Sequence, residues 1–359
     1  MSGGVDSAVA AALLKKQGFD VTGVFMKLFK EADPTNAKKV AKKMDIPFKI
    51  FDFRKEFKRK VIDYFLKGYR QGITPNPCIV CNRDIKFGLF FEKALKMGAD
   101  YMATGHYARK SELTTNNSQL TTYKLLRAKD KNKDQSYFLW TLTQRQLRKT
   151  LFPIGDYTKK EVRKMAKKLG ISDLIKGESE DICFVGNTNV REYLRTRINT
   201  NKGEIITVEG KVVGEHEGLA FYTIGQRKGI KIAAKIPYYV IRKDIKNNNL
   251  IVSQNSEDLL SKNLIATEVN WILGGEPELP LKIRAKVRYR SEAAPAILVN
   301  CLRSKVYSLK FGQPQRAITP GQSVVFYLLA EASAKTGKGK ELLGGGIIQL
   351  LKNKPDVVI

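Results

Sequence analysis

Two groups of residues in this chain are typed and spaced for chemistry: a glycine loop at its start and cysteines scattered along it. The loop reads Ser2-Gly3-Gly4-Val5-Asp6-Ser7. Consecutive glycines bare backbone N–H groups with no Cβ in the way, so the loop can close around a phosphate, and Ser2 and Ser7 add hydroxyls. A helix must follow at once. Residues 8–16 hold no breaker, Val9 and Leu13 lie four apart, and Gly18 supplies a stop. Phosphate oxygens would then rest on backbone donors at a helix N-terminus. The stretch is neither a Gly-Lys-Ser/Thr loop nor a G-x-G-x-x-G fingerprint. A bare Gly-Gly turn opening an ordinary helix is the competing reading.

The second group is Thr74-Pro75-Asn76-Pro77-Cys78-Ile79-Val80-Cys81-Asn82. Its prolines fix an extended, rigid loop ending at two thiols just before a helix. A thiol there, among Arg83 and Lys86, is expected to have a lowered pKa and to be a good nucleophile. Cys183 lies far away, within Ser179-Glu180-Asp181-Ile182-Cys183-Phe184. Taken alone it reads as a buried apolar cysteine. Cys78 and Cys81 could be half of a zinc site, but no second C-x-x-C or histidine pair completes it; His106 and His216 are the only histidines.

The elements that must position these groups alternate in the first half. Residues 19–29 and 46–53 read as buried strands, and residues 99–104 as a third. Between them, Asp33-Pro34 supplies an N-cap and an N1 proline, and helices follow with Ala37, Val40, Ala41, Met44 and then Phe57, Val61, Tyr64, Phe65 as apolar stripes. Another helix spans about 84–96, and helices continue to residue 169, where Thr158 and Glu161 form a capping box and Gly170 a stop. This order implies a doubly wound parallel sheet. A glycine loop of this kind normally follows a buried strand, so the natural protein is expected to begin several residues upstream with a first strand ahead of Ser2.

From about residue 200 the period becomes two. Hairpins are expected around Glu209-Gly210 and Asn247-Asn248-Asn249, and strands at 282–290, 305–311, 323–329 and 346–351. Pro320-Gly321 and Gly344-Gly345-Gly346 read as turns, Asn116-Asn117 and residues 335–340 as loop tips. The fold class is therefore an N-terminal α/β domain (residues 1–195), a small β-rich domain (196–261) and a C-terminal β-barrel (262–359).

Composition bounds the setting. The 359 residues suit two or three domains at ~150 residues each, and 43% hydrophobic content supports packed cores. No run approaches the ~20 apolar residues of a membrane span. Four cysteines are too few for a secreted disulfide scaffold, so a reducing cytoplasm is expected. Lys and Arg number 64 against 35 acidic residues, a net charge of +29, which suits a polyanion such as tRNA or a merely solvated lysine-rich surface. At 282–290 the alternation puts Lys282, Arg284, Lys286, Arg288 and Arg290 on one strand face, a phosphate-tracking stripe or a solvated one.

The loop matches the Ser-Gly-Gly-x-Asp-Ser loop of the ATP pyrophosphatases. Over nearly its whole length the chain resembles one branch of them, the tRNA-specific 2-thiouridylases. The resemblance rests on the glycine loop, Thr74-Pro75-Asn76-Pro77, Cys81-Asn82, Ala103-Thr104-Gly105-His106-Tyr107, Lys133-Asp134-Gln135-Ser136-Tyr137-Phe138 and Ile182-Cys183-Phe184. It continues through Gly214-Glu215-His216-Glu217-Gly218, Thr223-Ile224-Gly225-Gln226-Arg227-Lys228-Gly229, Arg288-Tyr289-Arg290 and Thr319-Pro320-Gly321-Gln322.

The resemblance implies replacement of the 2-oxygen of the wobble uridine by sulfur. ATP, with Mg²⁺, would adenylate that oxygen while Ser2, Gly3, Gly4, Val5, Asp6 and Ser7 hold the pyrophosphate and Met26 and Gly105 line the adenosine pocket. Cys183 would carry a persulfide and Cys81 act as the catalytic nucleophile, the pair ending as a disulfide. Asn76, Pro77 and Cys78 would face the flipped base. His106, Lys133, Asp134, Gln135, Arg288, Tyr289 and Gln322 would meet the tRNA. A persulfide donor protein, a cysteine desulfurase or a relay, is implied as a partner, with no membrane and a monomeric state. Many relatives carry Asp where this chain has Cys78, which leaves the proton transfer there open. Cys78, Cys81 and Cys183 would also suffice in number for a [4Fe–4S] cluster; no other metal site is expected. Two alternatives stay open: an amidating or lysine-attaching pyrophosphatase acting on tRNA, which needs no Cys81/Cys183 pair, and a non-catalytic RNA-binding protein.

Overall fold

The computed structural model describes residues 1–113, 121–172, 182–186, 188–301, 305–329 and 341–349. The expectations for Asn116-Asn117, Ser179-Glu180-Asp181 and residues 335–340 and 350–351 fall outside the described residues.

In the N-terminal domain Gly23–Lys27 pairs in parallel with Phe48–Asp52, and Met102–Ala103 with Thr150–Leu151. The first strand is shorter than its apolar run. Its ladder starts at Gly23, whose N–H reaches the Pro47 carbonyl at 2.8 Å, and Pro47 has no N–H to extend the pairing. The helix Val5–Lys16 presents Ala8, Val9 and Ala10 to Val162, Ala166 and Ile171, so two helices approach closely behind the glycine loop. The second of them, Lys159–Lys168, opens on the expected Thr158/Glu161 capping box and stops at Gly170, whose φ is +60°. One cap shifts by a residue: Asp33 Oδ1 accepts the Thr35 N–H at 2.9 Å, so Pro34 is the N-cap of Thr35–Lys43 and not its first residue.

Two corrections follow from the barrel. Residues 105–150 are not a helical stretch, for Ala108–Leu113 and Thr122–Arg127 form an antiparallel hairpin. The hairpin then pairs through Leu125 and Leu126 with Glu341–Gln349, fastening the first domain to the last. The alternation of polar and apolar residues in 108–127 is a strand signal that the neighbouring helices masked. Gly344-Gly345-Gly346 is not a turn but the middle of that same strand. A Cβ on Gly344 would lie 2.2 Å from the Asn270 carbonyl oxygen and one on Gly345 2.8 Å from the Trp140 ring, so the glycines permit close approach across the barrel.

The C-terminal domain is a closed six-stranded barrel in the order Leu260–Trp271, Tyr307–Arg316, Ala294–Asn300, Leu281–Lys286, Ser323–Leu328, Glu341–Gln349, the last strand closing on the first. Its interior holds Leu264, Ile283, Leu298, Leu309 and Phe326. Between the two domains lies a four-stranded sheet ordered Val212–His216, Gly203–Thr207, Asn249–Ser253, Tyr239–Asp244, containing both expected hairpins. His216 locks it. Its Nδ1 accepts the Gly218 N–H at 3.0 Å and its Nε2 faces the Asn248 carbonyl at 2.9 Å, an arrangement for a neutral ring, and burial lowers its pKa accordingly.

Candidate active site

A cleft of about 2330 Å³ runs from the glycine loop past Cys78, Cys81 and Cys183 to Lys286 and Tyr289 of the barrel domain. At one end Gly4 is the N-cap of Val5–Lys16 and, lacking a side chain, caps nothing. The first-turn N–H groups of Val5, Asp6 and Ser7 are thereby offered to an anion. Gly3 holds φ +83°, which favours glycine, and the loop is laced to itself: the Ser2 N–H donates to Ser7 Oγ at 3.1 Å, and the Ser7 hydroxyl donates to the Gly4 carbonyl at 3.0 Å. Asp6 lines the cleft and is held from behind. Its two carboxylate oxygens each accept from Lys159 Nζ at 2.8 Å, and Oδ1 accepts the Tyr107 hydroxyl at 2.7 Å.

These donors fit a nucleotide polyphosphate, and Met26 and Gly105 line the same cleft. A Cβ on Gly105 would stand 2.8 Å from both the Asp6 carbonyl carbon and the Ser7 nitrogen. Backbone cannot yield as a side chain does, so Gly105→Ala must displace the loop at an overpacking cost of ~1–3 kcal/mol. Equilibrium binding of ATP should weaken about 5- to 150-fold in that variant if the displaced loop must be restored to bind it, and the melting temperature should fall by a few degrees. Unaltered ATP affinity would contradict the loop's role. Among the described residues no three His, Cys, Asp or Glu side chains are grouped to hold a metal ion. Cys78, Cys81 and Cys183, considered from the sequence for a [4Fe–4S] cluster, are not grouped in that way.

The thiols sit on one continuous helical run, Pro77–Val80, the π-helical Cys81–Phe90 and then Phe91–Lys96. Asn76 is its N-cap, Pro77 its first residue and Cys78 lies in the first turn. Cys81 is a full turn inside, beyond reach of the free N–H groups, and it packs with Phe51, Phe53, Phe57, Val61 and Ile85. Its expected low pKa is therefore overturned. Burial pushes the thiol up to about 12, outweighing the Lys86 ammonium that pulls it down. An i→i+5 helical register, rare and often found at functional sites, sets Lys86 on the cleft wall with Cys81, whereas Arg83 turns away to Asp84 at 2.9 Å. Alkylation of Cys81 in the resting protein should accordingly be slow at neutral pH and still accelerating well above the ordinary thiol pKa of ~8.5. A rate that levels off near pH 7 in peptide-resolved labelling would refute the burial argument.

Cys183 lines the same cleft. The residue as a whole is exposed, while burial around its thiol raises the pKa, again against Lys86. Phe184 seats it: that ring lies 5.8 Å from Phe57, 5.3 Å from Phe65 and 5.5 Å from Tyr193, in edge-on contacts. Because Phe57 belongs to the cluster around Cys81, the two sulfur-bearing segments share one apolar wall. Asn82 completes it. Its Nδ2 donates to the Phe138 carbonyl at 3.0 Å, while its buried Oδ1 has no partner among the described residues.

The expected RNA contacts divide. Lys133 and Tyr289 line the cleft, the Tyr289 ring tilted against Phe138 at 4.4 Å between centroids. His106, Asp134 and Gln135 also border it but are committed inward. His106 is 8% exposed with Nδ1 2.9 Å from Thr104 Oγ1, and burial holds its pKa well below the usual value. Asp134 accepts Arg127 Nε at 2.8 Å and the N–H groups of Ala128 and Ser136; Gln135 Oε1 accepts the Tyr107 N–H at 3.0 Å. Arg288 and Gln322 form a brace. Arg288 donates to the Ala317 carbonyl, the Thr74 N–H donates to Pro320 at 2.9 Å, and Gln322 Nε2 donates to the Thr74 carbonyl at 2.8 Å. The barrel thus grips the loop that carries Asn76, Pro77 and Cys78. Of these three, Pro77 and Cys78 line the cleft, and Asn76 meets the Tyr137 hydroxyl behind it.

The expected basic stripe at 282–290 is corrected. The strand ends at Lys286, whose ammonium folds onto the Tyr289 carbonyl at 3.0 Å, and the chain turns there, so Lys282 to Arg290 do not share a face. Arg284, Lys286 and Arg290 still border the cleft. Lys159, Tyr107 and Asn82 are the residues that sequence reasoning gave no role. Lys159 stands 153 residues from its partner Asp6, and its capping-box position carries no signal of that contact.

Comparison with known proteins supplies the family. Residues 1–187 match the family profile described as the tRNA methyl transferase HUP domain, residues 191–254 its PRC-barrel domain, and residues 261–348 the aminomethyltransferase beta-barrel domain. The tRNA-specific 2-thiouridylase of Moorella thermoacetica is 44% identical, covering 97% of this chain and 98% of its own length. The corresponding enzyme of Carboxydothermus hydrogenoformans is 42% identical over 97% and 96%, and that of Clostridioides difficile 43% over 97% and 96%. The chain belongs to the tRNA-specific 2-thiouridylase family. It is thus a tRNA sulfurtransferase of the ATP-using loop type, with a HUP domain, a PRC-barrel domain and a β-barrel in order. No described helix is long and apolar enough to cross a membrane.

Proposed function

We propose that this sulfurtransferase makes 2-thiouridine at the wobble position by adenylating O2 of the uridine and displacing AMP with sulfur carried on Cys183. A uridine C2 carbonyl is a poor electrophile, and adenylation converts its oxygen into a leaving group. The loop N–H groups of Val5, Asp6 and Ser7 would take up the charge of the departing pyrophosphate, with Mg²⁺ adding neutralisation when bound. Lys159, held by Asp6, stands at the same end of the cleft.

The single observation that carries the reading is that Cys81 and Cys183 flank one cleft that begins at the glycine loop. An exposed Cys183 can receive sulfane sulfur from a donor protein, a cysteine desulfurase or a relay. Two balanced routes follow. Either Cys81 attacks Cys183 Sγ and frees sulfide, which adds to C2 and expels AMP, or the terminal persulfide sulfur adds to C2, AMP leaves, and Cys81 then attacks Cys183 Sγ to release the thiouridine. Both leave a Cys81–Cys183 disulfide, and two electrons from a thiol reductant restore the pair, as a reducing cytoplasm would provide. Cys78, in the helix's first turn, Pro77 and Asn76 would border the extruded base, and the enzyme would act as a monomer.

Incubation with unmodified tRNA, ATP and a persulfide donor, followed by nucleoside mass spectrometry, tests this. The expected product is 2-thiouridine with one AMP and one pyrophosphate per sulfur. AMP release accompanied by an amidated or lysine-bearing nucleoside would favour the other pyrophosphatase chemistries, and tRNA binding with no AMP release would favour a non-catalytic role.

A further inference from the structure

A second depression, about 670 Å³, lies beside the cleft between the turn at 130–133 and the helix Lys159–Lys168. Its walls are cationic: Lys160, Arg163, Lys164 and Lys167 come from the helix and Lys133 from the turn. The four helical residues are exposed and spaced i, i+3, i+4, i+7, which sets them in one row with neighbouring Cβ atoms ~5–6 Å apart. Among the described residues Asp130 is the one carboxylate lining the groove, and it is spent on backbone. Its Oδ1 accepts the N–H groups of Asn132 at 3.0 Å and Lys133 at 3.3 Å, and its Oδ2 accepts that of Lys159 at 2.9 Å. Those bonds fix the turn against the helix. Glu161, the helix's own acid, faces Thr158 and Lys129 instead.

We propose that this groove binds RNA phosphodiester backbone leading away from the nucleotide cleft. The inference rests on the reading of the chain as an enzyme acting on tRNA, and it adds Lys160, Arg163, Lys164 and Lys167 to the residues expected to meet the RNA. Three features favour a polynucleotide over the phosphates of ATP. The glycine loop already supplies donors for those phosphates. Lys160 and Lys164 line the groove and not the cleft. And Lys133, Arg163 and Lys167 border both hollows, so a strand with one base in the cleft has an unbroken cationic path along the helix.

The test is the affinity of an unmodified tRNA transcript for the full chain across a salt series. For Lys160→Glu/Lys164→Glu we expect at least a tenfold loss near physiological salt and a log–log salt slope shallower by roughly 1.5, since each lost phosphate contact removes about 0.7–0.9. ATP affinity should be unchanged. Lys160→Arg/Lys164→Arg should bind as wild type, and Lys160→Gln/Lys164→Gln should shift in the same direction by less, which separates charge from misfolding. Wild-type affinity and slope in the Glu variant would overturn the groove alone. So would a fall in ATP affinity with tRNA binding intact, which would give the groove to the nucleotide. If the wild-type chain shows no salt-dependent tRNA binding, the groove and the reading beneath it fall together.

Discussion

Cys183→Ala and Cys81→Ala should each reduce 2-thiouridine formation to background, a loss of several orders of magnitude, while ATP-dependent tRNA binding stays close to wild type. Neither side chain is needed for the loop's phosphate donors or for the cationic surfaces, so binding has no reason to fail. Removing Cys183 leaves no carrier for sulfane sulfur. Removing Cys81 leaves the persulfide in place with no thiol to cleave it, so the variant should retain sulfane sulfur on Cys183 and accumulate AMP only to the extent that the adenylate hydrolyses. The substitutions differ in their structural cost. Cys81 is buried in an aromatic cluster, so its loss opens a small cavity worth ~1 kcal/mol, whereas Cys183 is exposed and its replacement should be thermally silent. Measured sulfur on tRNA, AMP release and melting temperature together separate catalysis from folding. Thiolation persisting in Cys183→Ala would shift the chemistry to one of the relatives that use no thiol pair.

The second large effect is expected at Asp6. Its carboxylate holds Lys159 Nζ and the Tyr107 hydroxyl, and Lys159 is only 10% exposed at its side chain. Deleting one partner of such a pair costs ~3–5 kcal/mol when both are buried; Asp6 is 33% exposed, so about 2 kcal/mol is the fair figure here. Asp6→Ala should therefore weaken ATP binding by about 30-fold and lower tRNA-dependent AMP release at least as much. Lys159→Met should do nearly the same. In Asp6→Ala/Lys159→Met the losses should be clearly less than additive, because the ammonium stripped of its carboxylate is gone. Strict additivity in ATP affinity would show that the two residues act separately on the nucleotide.

The fold was readable wherever chemistry and period agreed. The Thr158/Glu161 box, the hairpins around residues 209–210 and 247–249 and the strands of the barrel all carry local signals that tertiary contacts leave intact. Where a distant partner set the conformation, reading failed. Gly344-Gly345-Gly346 resembles a turn until Trp140 and Asn270 are seen pressing on the strand, and the hairpin at 108–127 exists to meet Glu341 and Leu342. The site shows the same division. The glycine loop and the cysteines announce themselves by residue type, but not the environment of Cys81. A C-x-x-C before a helix suggests activated thiols, and only the packing of Phe51, Phe53 and Phe57 reveals that desolvation dominates. Arg288 and Gln322, expected at the RNA from the family resemblance, also carry hydrogen bonds to Ala317 and Thr74 that no local sequence signal announces.

The most direct test is a single turnover without reductant. Enzyme carrying a persulfide on Cys183 is mixed with ATP and a limiting amount of unmodified tRNA, quenched with acid and an alkylating agent, and its peptides are mapped by mass spectrometry. The account predicts one Cys81–Cys183 disulfide for every thiouridine formed, with Cys78 and Cys301 recovered alkylated. Thiouridine formed in full while Cys81 and Cys183 both remain free thiols would contradict it.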